Sequence, residues 1–97
     1  MPVPEAPRPS AFEFVVKDGK VASGEPVIKA RQGDEITLVI TSDKADELHL
    51  HGYDRHAHLQ PNAPARVTLK ADRTGRFPIE LHKSHIELGT IEVYPKP

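Results

Sequence analysis

Polar and apolar residues alternate along most of this chain with a period of two. Phe12, Phe14 and Val16 interleave with Ala11, Glu13, Val15 and Lys17, the pattern of a half-buried strand. Lys17-Asp18-Gly19-Lys20 follows. It predicts a hairpin turn, because Asp-Gly accepts the positive φ of a tight turn. Residues 26–31 form a short extended piece that Gln32-Gly33-Asp34 breaks. From Glu35 to Ser42, Ile36, Leu38 and Ile40 share one face, and Thr37, Val39 and Thr41 share the other. Such β-branched rows predict a central strand covered on both sides. Leu48 to Tyr53 reads as a strand and residues 54–64, with Pro61 and Pro64, as a polar loop. Ala65 to Ala71 alternates through Val67 and Leu69, and Asp72-Arg73-Thr74-Gly75 is a turn. Phe77, Ile79 and Leu81 line one face of the next strand, residues 82–88 form a loop, and Gly89 to Tyr94 is the last strand. Ser42 to Leu48 competes as a helix capped by Ser42-Asp43, but it has room for one turn only. Seven or so short strands separated by turns predict an all-β fold, a Greek-key β-sandwich or barrel.

Ninety-seven residues make one small domain. Pro2, Pro4, Pro7 and Pro9 predict an extended, mobile arm over residues 1–10, with the folded domain over 11–97. The arm lacks the apolar centre of a signal peptide. Two histories fit: a proline-rich leader on a cytosolic chain, or an exported chain whose signal has been removed. No apolar run approaches the ~20 residues that cross a bilayer. The formal net charge is −1, with 28% charged residues of both signs interspersed. No basic stripe is available to track phosphates, and without Trp there are few platforms for stacking bases. Nucleic acid is therefore not an expected partner. The absence of Cys removes disulfides, thiolate zinc sites, iron–sulfur clusters and a cysteine nucleophile.

Six histidines change the picture more than any other count. His49, His51, His56 and His58 lie in Leu48-His49-Leu50-His51-Gly52-Tyr53-Asp54-Arg55-His56-Ala57-His58, and His82 and His85 in Glu80-Leu81-His82-Lys83-Ser84-His85. On a strand, His49 and His51 project to one side, ~6.6 Å apart, and can grip one metal. His82 and His85 stand at a strand end and its loop. They add nitrogens if the strands near residues 50 and 80 are neighbours. Neutral imidazole suits copper, zinc and nickel. An isolated histidine is more often a plain surface or core residue, and His56 and His58 read as solvated accessories on the loop. Tyr53 reads as packing. Asp54 is a turn residue or a carboxylate that orients an imidazole.

Ala30-x-x-Gly33-Asp34-x-Ile36-x-Leu38-x-Ile40 with Asp46-Glu47-Leu48-His49-Leu50-His51-Gly52-Tyr53 resembles the first half of a cupredoxin. Gly75-x-Phe77-x-Ile79-x-Leu81 with Leu88-Gly89-x-Ile91-x-Val93 resembles its last strands, so the likeness covers about residues 12–95. It implies a cupredoxin-like fold. It matches His51 to the family's first His ligand and His85 to the second. The Cys position falls at Leu81, and Leu88 stands near the axial Met. Copper is thus the implied metal, with zinc as the alternative, and a blue electron-transfer site is not expected without a thiolate. His49 and His82 lie outside the family pattern as additional nitrogens. The nearest group is Cys-less, carries His-x-His-Gly-Tyr-Asp and is typically exported. It implies a periplasmic or extracellular protein that stores, buffers or delivers copper, with a periplasmic metal-handling protein as partner.

The expected site is two to four imidazoles from His49, His51, His82 and His85. His51→Ala and His85→Ala would be the damaging substitutions, and His56→Ala and His58→Ala the mild ones. His82 is the weakest member, since alternation from Phe77 sets it opposite the core face. The competing reading is a structural or interaction module whose metal site has degenerated. An enzyme is the least favoured class, because Ser84 between two histidines lacks an orienting acid and an oxyanion hole.

Overall fold

A computed structural model describes residues 9–96, with side chains from Ala11 onward. Among these residues nine strands form and no helix. They are β1 (Pro9–Lys17), β2 (Lys20–Ser23), β3 (Val27–Arg31), β4 (Glu35–Ser42), β5 (Asp46–Leu50), β6 (Arg55–Leu59), β7 (Ala65–Lys70), β8 (Gly75–Leu81) and β9 (Ile86–Tyr94). They build a four-stranded sheet, β2-β1-β4-β7, and a five-stranded sheet, β3-β9-β8-β5-β6. Two pairings are parallel, β1 with β4 and β3 with β9. The rest are antiparallel.

The inward rows are those the alternation marks. Phe14, Val16, Ile36, Leu38, Ile40, Val67 and Leu69 from one sheet meet Ile28, Leu48, Leu50, Leu59, Ile79, Leu81, Ile91 and Val93 from the other, all buried. Removing these faces from water is the main drive for closing the sandwich. β4 keeps a half-open outer face of Thr37, Val39 and Thr41, so it is covered on one side rather than both. Asp18 and Gly19 take φ of 52° and 72°, joining β1 to β2 with the left-handed turn that Asp-Gly allows.

Several stretches differ from the sequence expectation. The strand expected over 48–53 is β5, Asp46–Leu50, and residues 51–54 are a turn, so His51 stands just past the strand rather than on it, while Lys20–Ser23 adds the unexpected strand β2. Arg55–Leu59 is strand β6, not loop. The loop expected over 82–88 is a turn confined to residues 82–85, because Ile86 already pairs with Leu81. Residues 42–48 bend into β5 without a helical turn. The expected arm lies, for residues 1–8, outside the described residues. No helix among those described is long and apolar enough to cross a membrane.

Candidate metal centre

Leu48 and Leu50 point into the core, so alternation turns Glu47 and His49 to the outer face of the five-stranded sheet. On β6, Ala57 and Leu59 take the inner side and leave His56 and His58 exposed. The antiparallel register then decides what meets what. His49 stands opposite His56 on one flank and opposite Glu80 of β8 on the other.

The imidazoles touch. The His49 ring stacks on His56 with centroids 4.4 Å apart and planes 14° apart, and it lies 4.4 Å from the tilted ring of His51. Carboxylates surround this row. His51 Nε2 lies 2.6 Å from Glu80 Oε1, His56 Nε2 lies 3.3 Å from Asp54 Oδ1, and His56 Nδ1 lies 3.8 Å from Glu47 Oε1. The donor atoms of His49, Asp54 and His56 all fall within 4.8 Å of one another. Ligands bound at ~2.0–2.2 Å to one tetrahedral ion sit ~3.3–3.6 Å apart, so the donors must close by more than ~1 Å and the stacked His49 and His56 rings must rotate to aim their nitrogens at one ion. Asp54 is 95% exposed, which leaves the site open to solvent. The donor set is imidazole plus carboxylate, suited to copper(II) or zinc and not to a thiolate-type copper centre.

The turn that carries Asp54 is clamped from beneath. Tyr53 Oη donates to Arg73 O at 2.8 Å and accepts from Arg73 N at 3.0 Å, while an Arg73 guanidinium nitrogen donates to Gly52 O at 2.7 Å. The Tyr53 ring meets Phe77 edge-on at 4.6 Å. Burial pushes the Tyr53 phenol above its ordinary value against the lowering effect of the Arg73 amide, so it stays a donor at neutral pH.

His82 and His85 occupy the turn between β8 and β9, with rings 6.4 Å apart and His85 at φ 55°. β5 and β8 are indeed neighbours, but they run antiparallel. His51 N donates to Pro78 O at one end, and His82 N donates to Glu47 O at the other. Four residues of β8 therefore separate the His51 level from the His82 level, ~13 Å at a strand's rise. Of the four histidines read as ligands, the structure joins His49 with His51 and sets His82 and His85 apart as a second pair. It adds His56 and Asp54 to the first group. The signal for His56 was present in the alternation with Ala57 and Leu59, which puts it on the face of His49.

The β8–β9 turn is held by Asp46, one of two buried polar residues among those described. Its carboxylate accepts from Glu47 N at 2.7 Å, Lys83 N at 2.8 Å, Ser84 N at 3.2 Å and Ser84 Oγ at 2.5 Å. Burial alone would raise its pKa. The bonds from Ser84, Glu47 and Lys83 outweigh that and hold it below the ordinary carboxylate range.

No family model matches the chain, and no curated protein matches it by sequence. Solved structures do. A blue copper oxidase from Nitrosomonas europaea aligns with a TM-score of 0.73 at 20% identity, over 93% of this chain and 40% of that one. A heme-copper terminal oxidase aligns at 0.69 and 19% identity, over 88% of this chain and 65% of the other. A copper-binding protein solved by NMR in its apo form aligns at 0.64 and 17%, over 87% of this chain and 88% of that one. The sandwich is cupredoxin-like. Identities this low speak to fold alone, and the chain spans less than two thirds of the length of the two oxidase chains.

Proposed function

We propose that this cupredoxin-fold protein binds a copper ion through imidazoles on the outer face of its five-stranded sheet, and that it stores, buffers or delivers copper outside the cytoplasm rather than carrying electrons or catalysing with it. The convergence of His49, Asp54 and His56 donor atoms within 4.8 Å carries this reading. His51 lies beside His49 as a further nitrogen. Zinc suits the same donors. The positions that the resemblance gives to the thiolate and the thioether, Leu81 and Leu88, are buried core leucines, which argues against a blue site.

Competitive titration with copper(II) against a chelator tests the site. His49→Ala and His56→Ala should each weaken binding by far more than the 10–100-fold typical of residues that only support a ligand. His85→Ala should leave it unchanged. Loss at His85→Ala with none at His56→Ala would move the ion to the β8–β9 turn and overturn the assignment. Neutral imidazole is required for ligation and its reference pKa is ~6.5. Affinity should therefore drop as pH goes from ~7 to ~5, and a flat profile would point to carboxylate or backbone ligands instead.

The copper(II) form should be pale. Without a thiolate the intense band near ~600 nm has no source, and only weak d–d absorption should appear. A deep blue solution would contradict the donor set.

A further inference from the structure

The outer face carries donors beyond those of the first site. Glu47 stands opposite His58 in the β5–β6 register. On its other flank, His82 N donates to Glu47 O at 2.9 Å, which seats His82 beside Glu47 at the end of β8. His58 and His82 are exposed and Glu47 is half-exposed. Strands β6 and β5 and the first turn residue after β8 thus place His58, Glu47 and His82 side by side, one row along the sheet from Glu80, His49 and His56.

We propose that this second row binds a second metal ion through His58, Glu47 and His82. The proposal rests on the reading that the first ion sits at His49, Asp54 and His56. Strands lie ~4.8 Å apart, so the two flanking histidines are ~10 Å apart at the backbone with a carboxylate between them. Imidazoles leaning inward, each bonded to one ion at ~2.0–2.1 Å, close that gap. The side chains do not converge until they turn, and their exposure leaves them free to do so. Glu47 Oε1 lies 3.8 Å from His56 Nδ1, beyond hydrogen-bond reach, so its turn toward the second row gives up a loose ion pair and breaks no hydrogen bond.

Rows on one strand face repeat every ~6.6 Å, so the two ions lie about that far apart. The carboxylates of Glu47, Glu80 and Asp54 offset their repulsion, and the second ion binds more weakly than the first. A face that takes two ions suits a buffer or store better than a carrier of one.

Calorimetric titration of the whole protein with copper(II), followed by electron paramagnetic resonance, tests this. The unaltered protein should take two equivalents, the second bringing dipolar broadening and a half-field signal. The double variant His58→Ala, His82→Ala should take one equivalent at unchanged first-site affinity, with the spectrum of an isolated ion. The double variant His49→Ala, His56→Ala should lose the tight equivalent and keep the weak one. Saturation of the unaltered protein at one equivalent that His49→Ala, His56→Ala abolishes would refute the second site and leave the first standing. Two equivalents in His58→Ala, His82→Ala would refute it as well. Tight binding untouched by His49→Ala, His56→Ala would instead sink the first site.

Discussion

Asp46→Ala should lower unfolding stability by on the order of 3 kcal/mol, read by denaturant titration at neutral pH. The substitution strips four hydrogen bonds from one buried carboxylate and leaves the Lys83 and Ser84 amides without their acceptor. The effect depends on pH with a definite sign. The folded pKa of Asp46 is held below its ordinary value, so the folded state favours the charged form. The stabilisation is whole above the unfolded value of ~3.9 and is lost as pH falls through the lower folded value. The gap between the native protein and Asp46→Ala should therefore narrow as pH falls from ~5 through and below ~3.9. A gap constant across that range would show that the carboxylate's charge does not contribute.

Gly52→Ala should cost about 2–4 kcal/mol and weaken copper(II) binding with it. Gly52 holds φ at 88°, and a Cβ there would stand 2.3 Å from Cδ1 of the Phe77 ring. Phe77 is packed into the core, so the ring cannot swing clear and the turn itself must lift. That turn carries His51 at its start and Asp54 at its end. Gly19→Ala is the control: φ is 72°, but a Cβ would meet nothing within 4 Å. It should cost only ~1 kcal/mol, the backbone part. Equal losses in the two variants would show that the Phe77 contact is not what constrains residue 52.

Much of the sandwich was legible because burial and alternation coincide. β4 reads residue by residue from Glu35 to Ser42, and Phe77, Ile79 and Leu81 point inward as their spacing requires. β2 was hidden because Lys20–Ser23 is exposed throughout. Nothing in its side chains marks a strand, and it forms because the Asp18-Gly19 turn folds it against β1. β6 was hidden because its buried side supplies only Ala57 and Leu59, while Arg55, His56 and His58 resemble a loop. Missing β6 removed the partner that brings His56 against His49. The placement of His82 and His85 failed to show for another reason. Sequence locates both clusters at strand ends, but only the register of β5 on β8 tells which ends, and Leu48 opposite Leu81 fixes them apart. The parallel pairing of β1 with β4 and of β3 with β9 leaves no local mark at all.

That parallel pairing bears on the order in which the molecule is made. Val27 cannot find Thr90, nor Arg31 its partner Tyr94, until residues 90–94 have left the ribosome. Closing such distant strands belongs to the millisecond-to-second regime of β topologies. The β5–β6 hairpin, by contrast, spans only Asp46 to Leu59 and can zip within ~1–10 μs. A hairpin alone is marginal in water, but this one carries His49 and His56 on its two strands and Asp54 in its turn. The hairpin that carries the candidate site can thus form in the nascent chain well before the two apolar faces behind it close, so the frame of the site precedes the core it later rests on.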